Sequence, residues 1–379
     1  MLFSTNRLAR PFLFSRSYST TNKLKILFFG TDDFASTHLK ALIDEKKKDN
    51  SCIESLDLVC PPDRLTGRKL EMLTPSETKG VAELFNVPVH HTPSKAKTLK
   101  QWQLPTDKQY DLAVVVSFGY FIPPHIISRF RLGAINVHPS LLPKYRGAAP
   151  IQHAILNGDR KTGVTVQELD EREFDAGRIL NQKEVNLDKS PLYSSLKKQL
   201  SQVGTELLLD TIIQLDLKKA SAKTQDVSKA TKAPKIKKEW SELDFKEMSA
   251  WKVEQLSRAI GEQYPLRTTY TKQKKKKMRT YTVQLMHLFV PLQPCSLLKT
   301  MKPGSWVWHA PSESIHILFK DNTVIACPTI KLEGRAAMLA RDFVNGFEHE
   351  GVFGLEPMFD EGKRKEKLKL IENMKPFGQ

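Results

Sequence analysis

Between about residues 24 and 215, short apolar runs alternate with segments of helical length, and this rhythm constrains the fold more than any other feature of the chain. The run at residues 24–29 (LKILFF) is closed by Gly30 and followed by a helix-compatible stretch at 34–47. An apolar run of that length ending in glycine reads as a buried strand feeding a helix. The pattern recurs through strand-like 53–59, helix-like 77–85, strand-like 112–116, 134–137 and 163–169, and a helix near 192–215. Alternating strands and helices predict an α/β fold with a mostly parallel sheet covered on both faces. Such sheets place ligands in the crevice beyond the carboxyl ends of their strands.

The rhythm breaks at residues 216–240, where Lys218, Lys219, Lys223, Lys229, Lys232, Lys235, Lys237 and Lys238 are interspersed with small residues. This reads as a linker. Beyond it a helix is expected at 251–260, then alternating segments at 281–288, 305–308, 315–319 and 323–326 that predict a small antiparallel β domain. A last helix is expected at 337–345, and 363–369 reads as a helical tail or an unstructured end with no assigned role. The expected organisation is a leader at 1–20, a catalytic domain at 21–215, the linker at 216–240, a second domain at 241–350 and a basic tail at 351–379.

The leader follows from composition. Residues 1–20 carry Arg7, Arg10 and Arg16 among Ser, Thr and bulky apolar residues, with no acid before Asp32. That is the makeup of an organellar transit peptide, with a matrix-processing site around Arg16-Ser17-Tyr18-Ser19, so a mitochondrial matrix location is expected. The apolar stretch 112–127 is interrupted by Gly119, Pro123 and Pro124 and is too short to cross a bilayer, so no membrane association is expected. The four cysteines are far apart and never spaced as C-x-x-C, which indicates neither a zinc site nor a disulfide framework. A formal net charge of +17 makes a polyanion the first partner to consider.

Asn136 and His138 stand two apart at the end of an apolar run and just before a Pro-Ser-Leu-Leu-Pro turn. Residues two apart on a strand share a face, so both side chains can enter one crevice. An amide donor beside an imidazole suits acyl transfer, in which preorganised donors stabilise charge growing on a carbonyl oxygen. Any strand end could carry such a pair, so the pair alone does not settle the matter. The chain contains no G-x-S-x-G and no H-E-x-x-H, and it lacks both G-x-G-x-x-G and the Walker phosphate loop. These absences argue against serine-nucleophile, zinc-protease, nicotinamide and nucleoside-triphosphate chemistry. His90 and His91 are adjacent, and a surface position is expected for them.

Several motifs recur in a telling order: 29–34 (FGTDDF), 62–68 (PDRLTGR), 117–120 (SFGY), 136–143 (NVHPSLLP), 146–152 (RGAAPIQ) and 174–177 (FDAG). In order and spacing they resemble the 10-formyltetrahydrofolate-dependent formyltransferases, and within them the branch that acts on methionyl-tRNA. The resemblance covers roughly residues 24 to 350; it is most specific over 136–152 and weak after 216 except around 331–338. It implies a Rossmann-like formyltransferase domain followed by a small OB-like β-barrel domain. It assigns catalysis to Asn136, His138 and Asp175, with Asn136 and protonated His138 facing the oxyanion and Asp175 holding the imidazole. Folate contacts are implied for Ser117, Phe118, Gly119, Ser140, Leu141, Leu142 and Pro143. The substrates implied are 10-formyltetrahydrofolate, as a co-substrate with no tightly bound cofactor or metal, and initiator methionyl-tRNA, bound by a monomer with or without an accessory protein. The sequence departs from the family pattern at Asp32, where Pro is usual, and at Glu173 and Ala176. Glu171 and Glu173 therefore compete with Asp175 for the role of catalytic acid.

Arg64, Arg68 and Lys69 lie in a Pro- and Gly-containing stretch that the resemblance assigns to the acceptor end of the tRNA. A denser run, Lys272, Lys274, Lys275, Lys276, Lys277 and Arg279, falls in the second domain, where a loop between strands is expected, and Arg335 follows it. In a strongly basic chain with an OB-like domain, phosphate contact is the expected role of this run, although lysines carry no base specificity. Two other readings stay open: a formyltransferase acting on a small amine, and a catalytically silent RNA-binding relative.

Overall fold

The computed structural model describes residues 23–94, 98–105, 107–274, 277–354 and 361–377. The leader at 1–20, Lys275 and Lys276 lie outside these residues, as do the side chains of Arg68, Lys274 and Lys277. The first domain is built on a seven-stranded sheet. Its strands are β1 (Leu24–Gly30), β2 (Ile53–Cys60), β5 (Val89–His91), β6 (Leu112–Val116), β7 (Ala134–His138), β8 (Lys161–Glu168) and β9 (Ile179–Asn186). The order is β5-β2-β1-β6-β7-β8-β9. The strands from β5 through β7 pair in parallel, and β8 and β9 are antiparallel additions. A small hairpin, β3 (Arg64–Thr66) with β4 (Met72–Thr74), projects after β2. The helices are α1 (Asp33–Lys46), α2 (Glu77–Leu84), α3 (Pro124–Ile127), α4 (Pro150–Leu156), α5 (Tyr193–Ile213) and α6 (Leu215–Ala220).

β1 illustrates why the apolar runs become central strands. Ile26 and Phe28 face one core cluster while Leu27 and Phe29 face another, all four wholly buried, so both faces are covered and no alternation is needed. A β-carbon at Gly30 would stand 2.6 Å from the Phe28 ring and 2.7 Å from Ala35 Cβ, so only glycine allows so tight a passage from β1 into α1. Asp32, the departure from the family pattern, caps α1 by accepting a hydrogen bond from Ala35 N at 3.0 Å. β5 and β9 were not expected. His90 and His91 form part of β5 and are half-buried, with His90 Nε2 3.3 Å from Asp57. This corrects the expected surface position.

The Lys-rich segment joins the domains, yet it is folded onto the first. Lys223 pairs with Ile179 beside β9. Thr231 and Ala233 run along the turn after β7: Arg146 N donates to Thr231 O at 2.8 Å, Ala233 N to Arg146 O at 2.7 Å and Ala149 N to Ala233 O at 3.1 Å. A β-carbon on Gly147 would stand 2.6 Å from Ala233 O, so glycine permits that approach. Lys218 and Lys219 are half-buried, on Asp210 and Leu132 O, and the lysines from Lys223 to Lys238 are exposed, whereas Ala233, Ile236 and Trp240 are buried.

The first α-helix of the second domain is α7 (Ala250–Ile260), amphipathic and packed on α4. It then forms two four-stranded antiparallel sheets. One is ordered β10 (Leu266–Lys274), β11 (Lys277–Met286), β15 (Thr329–Leu332), β16 (Ala337–Leu339). The other is ordered β14 (Val324–Cys327), β13 (Ser314–Leu318), β12 (Ser305–His309), β17 (Glu350–Val352). Bridges between Tyr270 and Phe353 and between Phe289 and Ala326 join the two sheets on either side. Trp306, Phe343, Phe353 and Tyr270 fill the interior, with Trp306 stacked on Phe353 at 5.5 Å. Residues 337–339 pair as β16 where a helix was expected, and α8 (Ala340–Gly346) starts only after them. The tail forms α9 (Glu361–Asn373), tied to the second domain through Arg364 on Asp244 at 2.7 Å. Gln255 Nε2 donates both to Lys375 O at 2.9 Å and to Ile155 O at 2.7 Å, joining the tail to α4. Among the described residues no helix is long and apolar enough to cross a membrane.

Candidate active site

Along β7, Ile135 and Val137 enter the core, so Asn136 and His138 share the opposite face at the carboxyl end of the strand. His138 Nε2 donates to Tyr145 O at 2.8 Å. A carbonyl can only accept, so that nitrogen carries a proton and Nδ1 is left facing the Asp175 carboxylate. Tyr145 holds its carbonyl there from a left-handed backbone (φ 65°). Its phenol donates to Asp159 Oδ2 and accepts from Asn157 Nδ2, both at 2.8 Å. Burial and the Asp159 carboxylate push the phenol far above its ordinary pKa, so it stays a neutral donor.

Asp175 lies on the loop between β8 and β9, also in a left-handed conformation (φ 57°). Its carboxylate meets four groups. Oδ1 accepts from Asn136 Nδ2 at 3.3 Å and from Gln167 Nε2 at 3.1 Å, and lies 3.4 Å from His138 Nδ1. Oδ2 accepts from Gly147 N at 2.9 Å. The three residues expected to act together are therefore in one largely buried cluster, although Asp175 is 39 residues from Asn136 in sequence. Glu171 and Glu173 are exposed, Glu173 being 3.6 Å from Arg146, while Asp170 caps the loop by accepting from Arg172 N and Glu173 N.

The turn expected to touch folate is itself tightly built. Ser140 is buried, its hydroxyl donating to Lys144 O at 2.6 Å and its carbonyl accepting from Thr165 Oγ1 at 2.7 Å. Leu142 is buried too, with its N–H on Thr165 Oγ1, whereas Leu141 and Pro143 are half-buried. Ser140 and Leu142 therefore shape the turn from within. Ser117, Phe118 and Gly119 line a cleft of about 400 Å³ together with Thr31, Asp32, Arg64 and Tyr120. Ser117 and Gly119 are exposed at its rim, and Phe118 packs edge-on against Phe29 at 5.2 Å. Burial lifts the Asp32 carboxyl above the ordinary range, offset in part by its bond from Ala35 N.

Of the basic candidates, Arg64 lines that cleft at the base of the β3–β4 hairpin. Lys69 stands exposed at the hairpin tip beside Arg68, and Leu65, Met72 and Leu73 are exposed on the same hairpin. In the second domain Lys272 pairs directly with Arg279, and Lys274 with Lys277, across β10 and β11. Arg335 and Lys272 both lie over the Phe347 ring, at 5.6 and 4.8 Å, and Arg279 lies over Tyr281 at 4.8 Å. Lys272, Arg279 and Arg335 form one basic, aromatic-backed face.

Comparison with known proteins settles the kinship. The formyl transferase family model matches residues 24–212, and the model of the formyl transferase C-terminal domain matches 235–348. Methionyl-tRNA formyltransferase of Lactiplantibacillus plantarum is 34% identical over 321 residues, covering 85% of this chain and 95% of that protein. The chain belongs to the methionyl-tRNA formyltransferase family. The Staphylococcus aureus enzyme of the same name is 30% identical over 325 residues, covering 86% of this chain and 97% of its own. The fold is shared with an N-formyltransferase from Helicobacter canadensis solved with folinic acid and dTDP-3-aminofucose (TM-score 0.53, 15% identity, 80% of this chain and 98% of that one).

Within this formyltransferase, the residues that hold Asp175 were not expected. Gln167 was discoverable, because it pairs with Asn136 across β7 and β8 and so shares its face. The Tyr145 carbonyl and Gly147 N–H act through backbone and leave no side-chain signature. Gln225 sits in the Lys-rich segment, where nothing local marks it.

Proposed function

We propose that this enzyme moves the formyl group of 10-formyltetrahydrofolate onto the α-amine of methionyl-tRNA, and that it does so in the mitochondrial matrix. The observation that carries the chemistry is the single Asp175 oxygen shared between Asn136 and His138. The amine attacks the formyl carbon, a C–N bond forms and the carbonyl electrons move onto oxygen. Asn136 uses one amide hydrogen on Asp175 and has a second for the oxyanion. Because Nε2 of His138 is committed to Tyr145, Nδ1 is its working nitrogen. The His138–Asp175 pair takes the proton shed by the amine and returns one to N10, directly or through water, as the old C–N bond breaks. The products are a formamide and tetrahydrofolate, with no net change in protons.

The kinship with methionyl-tRNA formyltransferases supports the acceptor, and so does the basic face of the second domain. Like charges directly opposite across a strand pair are destabilising, so Lys272 opposite Arg279 fits a surface meant for phosphates. The leader supports the location through its three arginines and lack of acids. The test offers the purified enzyme labelled 10-formyltetrahydrofolate with charged initiator tRNA, charged elongator tRNA or free amines. Formyl-methionyl-tRNA is the expected product; transfer to a small amine alone overturns the acceptor, and transfer to nothing overturns the activity. For the location, residues 1–20 fused to a fluorescent protein should direct it to mitochondria, and a cytosolic signal would count against the leader.

A further inference from the structure

The two family matches leave out residues 213–234, yet a side chain from that interval enters the reaction centre. Gln225 is 5% exposed. Its Oε1 accepts from Arg146 Nε at 3.0 Å and Nη2 at 2.8 Å. Its Nε2 donates toward Gln167 Oε1 at 3.1 Å, Asp175 O at 2.9 Å and Gly177 O at 2.8 Å. Arginine can only donate, so the atom facing it must be the amide oxygen, and the orientation of Gln225 follows from its partners. Gln167 passes the connection on, giving its own Nε2 to Asp175 Oδ1 at 3.1 Å.

We propose that Gln225 is a positioning residue for formyl transfer: it braces the Asp175 loop so that one carboxylate oxygen reaches both Asn136 and His138. The inference rests on the proposed reaction and deepens it. Three stretches of chain meet at this amide: the turn after β7 through Arg146, strand β8 through Gln167, and the loop through the carbonyls of Asp175 and Gly177. A carboxamide of this length supplies an acceptor for the guanidinium and two N–H donors shared among the three oxygens. Glutamate would keep the first function and lose the second. Asp175 is a non-glycine residue in the left-handed region, which persists where surroundings over-determine it, and Gln225 binds the carbonyl of that same residue.

The test uses the full chain with Gln225→Ala, Gln225→Glu, Gln167→Ala and the Gln225→Ala/Gln167→Ala double variant. Turnover with 10-formyltetrahydrofolate and methionyl-tRNA is followed alongside thermal unfolding. Misplacing a catalytic group by about 1 Å costs up to about 100-fold, so Gln225→Ala should lose about 10- to 100-fold in kcat. Because Gln225 is 5% exposed and the proposal has it act through the Asp175 loop, both KM values should stay within about twofold of wild type. Gln225→Glu should lose kcat to the same extent, and the double variant should lose clearly less than the product of the single losses, since both act through Asp175. A folded Gln225→Ala with wild-type kcat overturns the proposal, as does full turnover in Gln225→Glu or full multiplication of losses in the double variant. Should Gln225→Ala fail to fold, the Gln225→Glu arm decides. Should the wild-type enzyme formylate only a small amine, the acceptor reading fails, and the same variants assayed with that amine still test Gln225.

Discussion

Replacing Gly177 with alanine tests how tightly the Asp175 loop is held. Gly177 lies two residues beyond Asp175, where the loop returns to the sheet. A β-carbon on it would stand 1.8 Å from Glu168 O and 2.7 Å from that carbonyl carbon. Carbon and oxygen rest about 3.3 Å apart, so about 1.5 Å must be opened. The Glu168 side cannot easily yield. Glu168 ends β8, which is paired on both edges, and Leu169 N donates to Ala134 O at 2.9 Å. The displacement therefore falls on the loop, dragging Asp175 and breaking the bond from Gln225 to Gly177 O. A shift of about 1 Å is worth about 100-fold in rate, or about 2.7 kcal/mol of barrier. Overpacking of this kind also costs about 1–3 kcal/mol of stability, a fall of several degrees in Tm for a domain of this size. The assay is kcat for formylation of methionyl-tRNA at about 20 °C, well below unfolding, with tRNA binding measured in parallel and expected to be unchanged. Turnover within about threefold of wild type, less than about 1 kcal/mol, would show that the loop tolerates the movement and refute the argument.

Removing an oxyanion donor typically costs about 100- to 1000-fold and removing a general base about 100- to 10,000-fold, so Asn136→Ala and His138→Ala should each lose at least about 100-fold in kcat while still unfolding cooperatively. Near-normal turnover in either would remove that residue from the mechanism. His38 is fully buried with its Nδ1 on Phe34 O, and burial lowers its pKa from 6.5 to about 4. As pH falls below 6.5 the unfolded chain binds a proton that the folded one refuses until about pH 4. Its contribution is thus complete above 6.5 and declines by about 3 kcal/mol toward pH 4. Urea unfolding of wild type and His38→Gln at pH 7 and pH 4.5 measures the difference, and equal pH dependence in the two proteins would contradict it. Lys272→Ala and Arg335→Ala should each reduce the slope of log affinity for tRNA against log salt by about 1, whereas an affinity flat from low to moderate salt would detach the basic face from the RNA.

The parts legible in the sequence were those with a local period. The β1, β6 and β7 strands declare themselves as apolar runs, and Asn136 and His138 stand out because strand alternation places them together. β9 escapes because it is an edge strand of mostly polar residues, ILNQKEVN, with few buried positions. The β10–β11 hairpin is hidden by its lysines: charge suggests a loop, while the cross-strand register runs to Lys274 and Lys277. Asp175 is one of four acids within six residues, and composition could not choose among them. Geometry separates them, since Asp170 caps the loop and Glu171 and Glu173 face outward, leaving Asp175 against the imidazole. Gln225 and the Tyr145 carbonyl were illegible because their partners lie up to 79 residues away or act through the main chain.

The path of residues 223–233 along the turn after β7 has a practical consequence. A catalytic fragment ended at residue 212, where the first family match stops, would retain Asn136, His138 and Asp175 and lose the strip of chain that covers Gly147 and meets Arg146. Chimaeras spliced at that border would pair one parent's acid with another parent's buttress. The sensible junction lies beyond Trp240, and the interval that reads as a tether should travel with the chemistry it encloses.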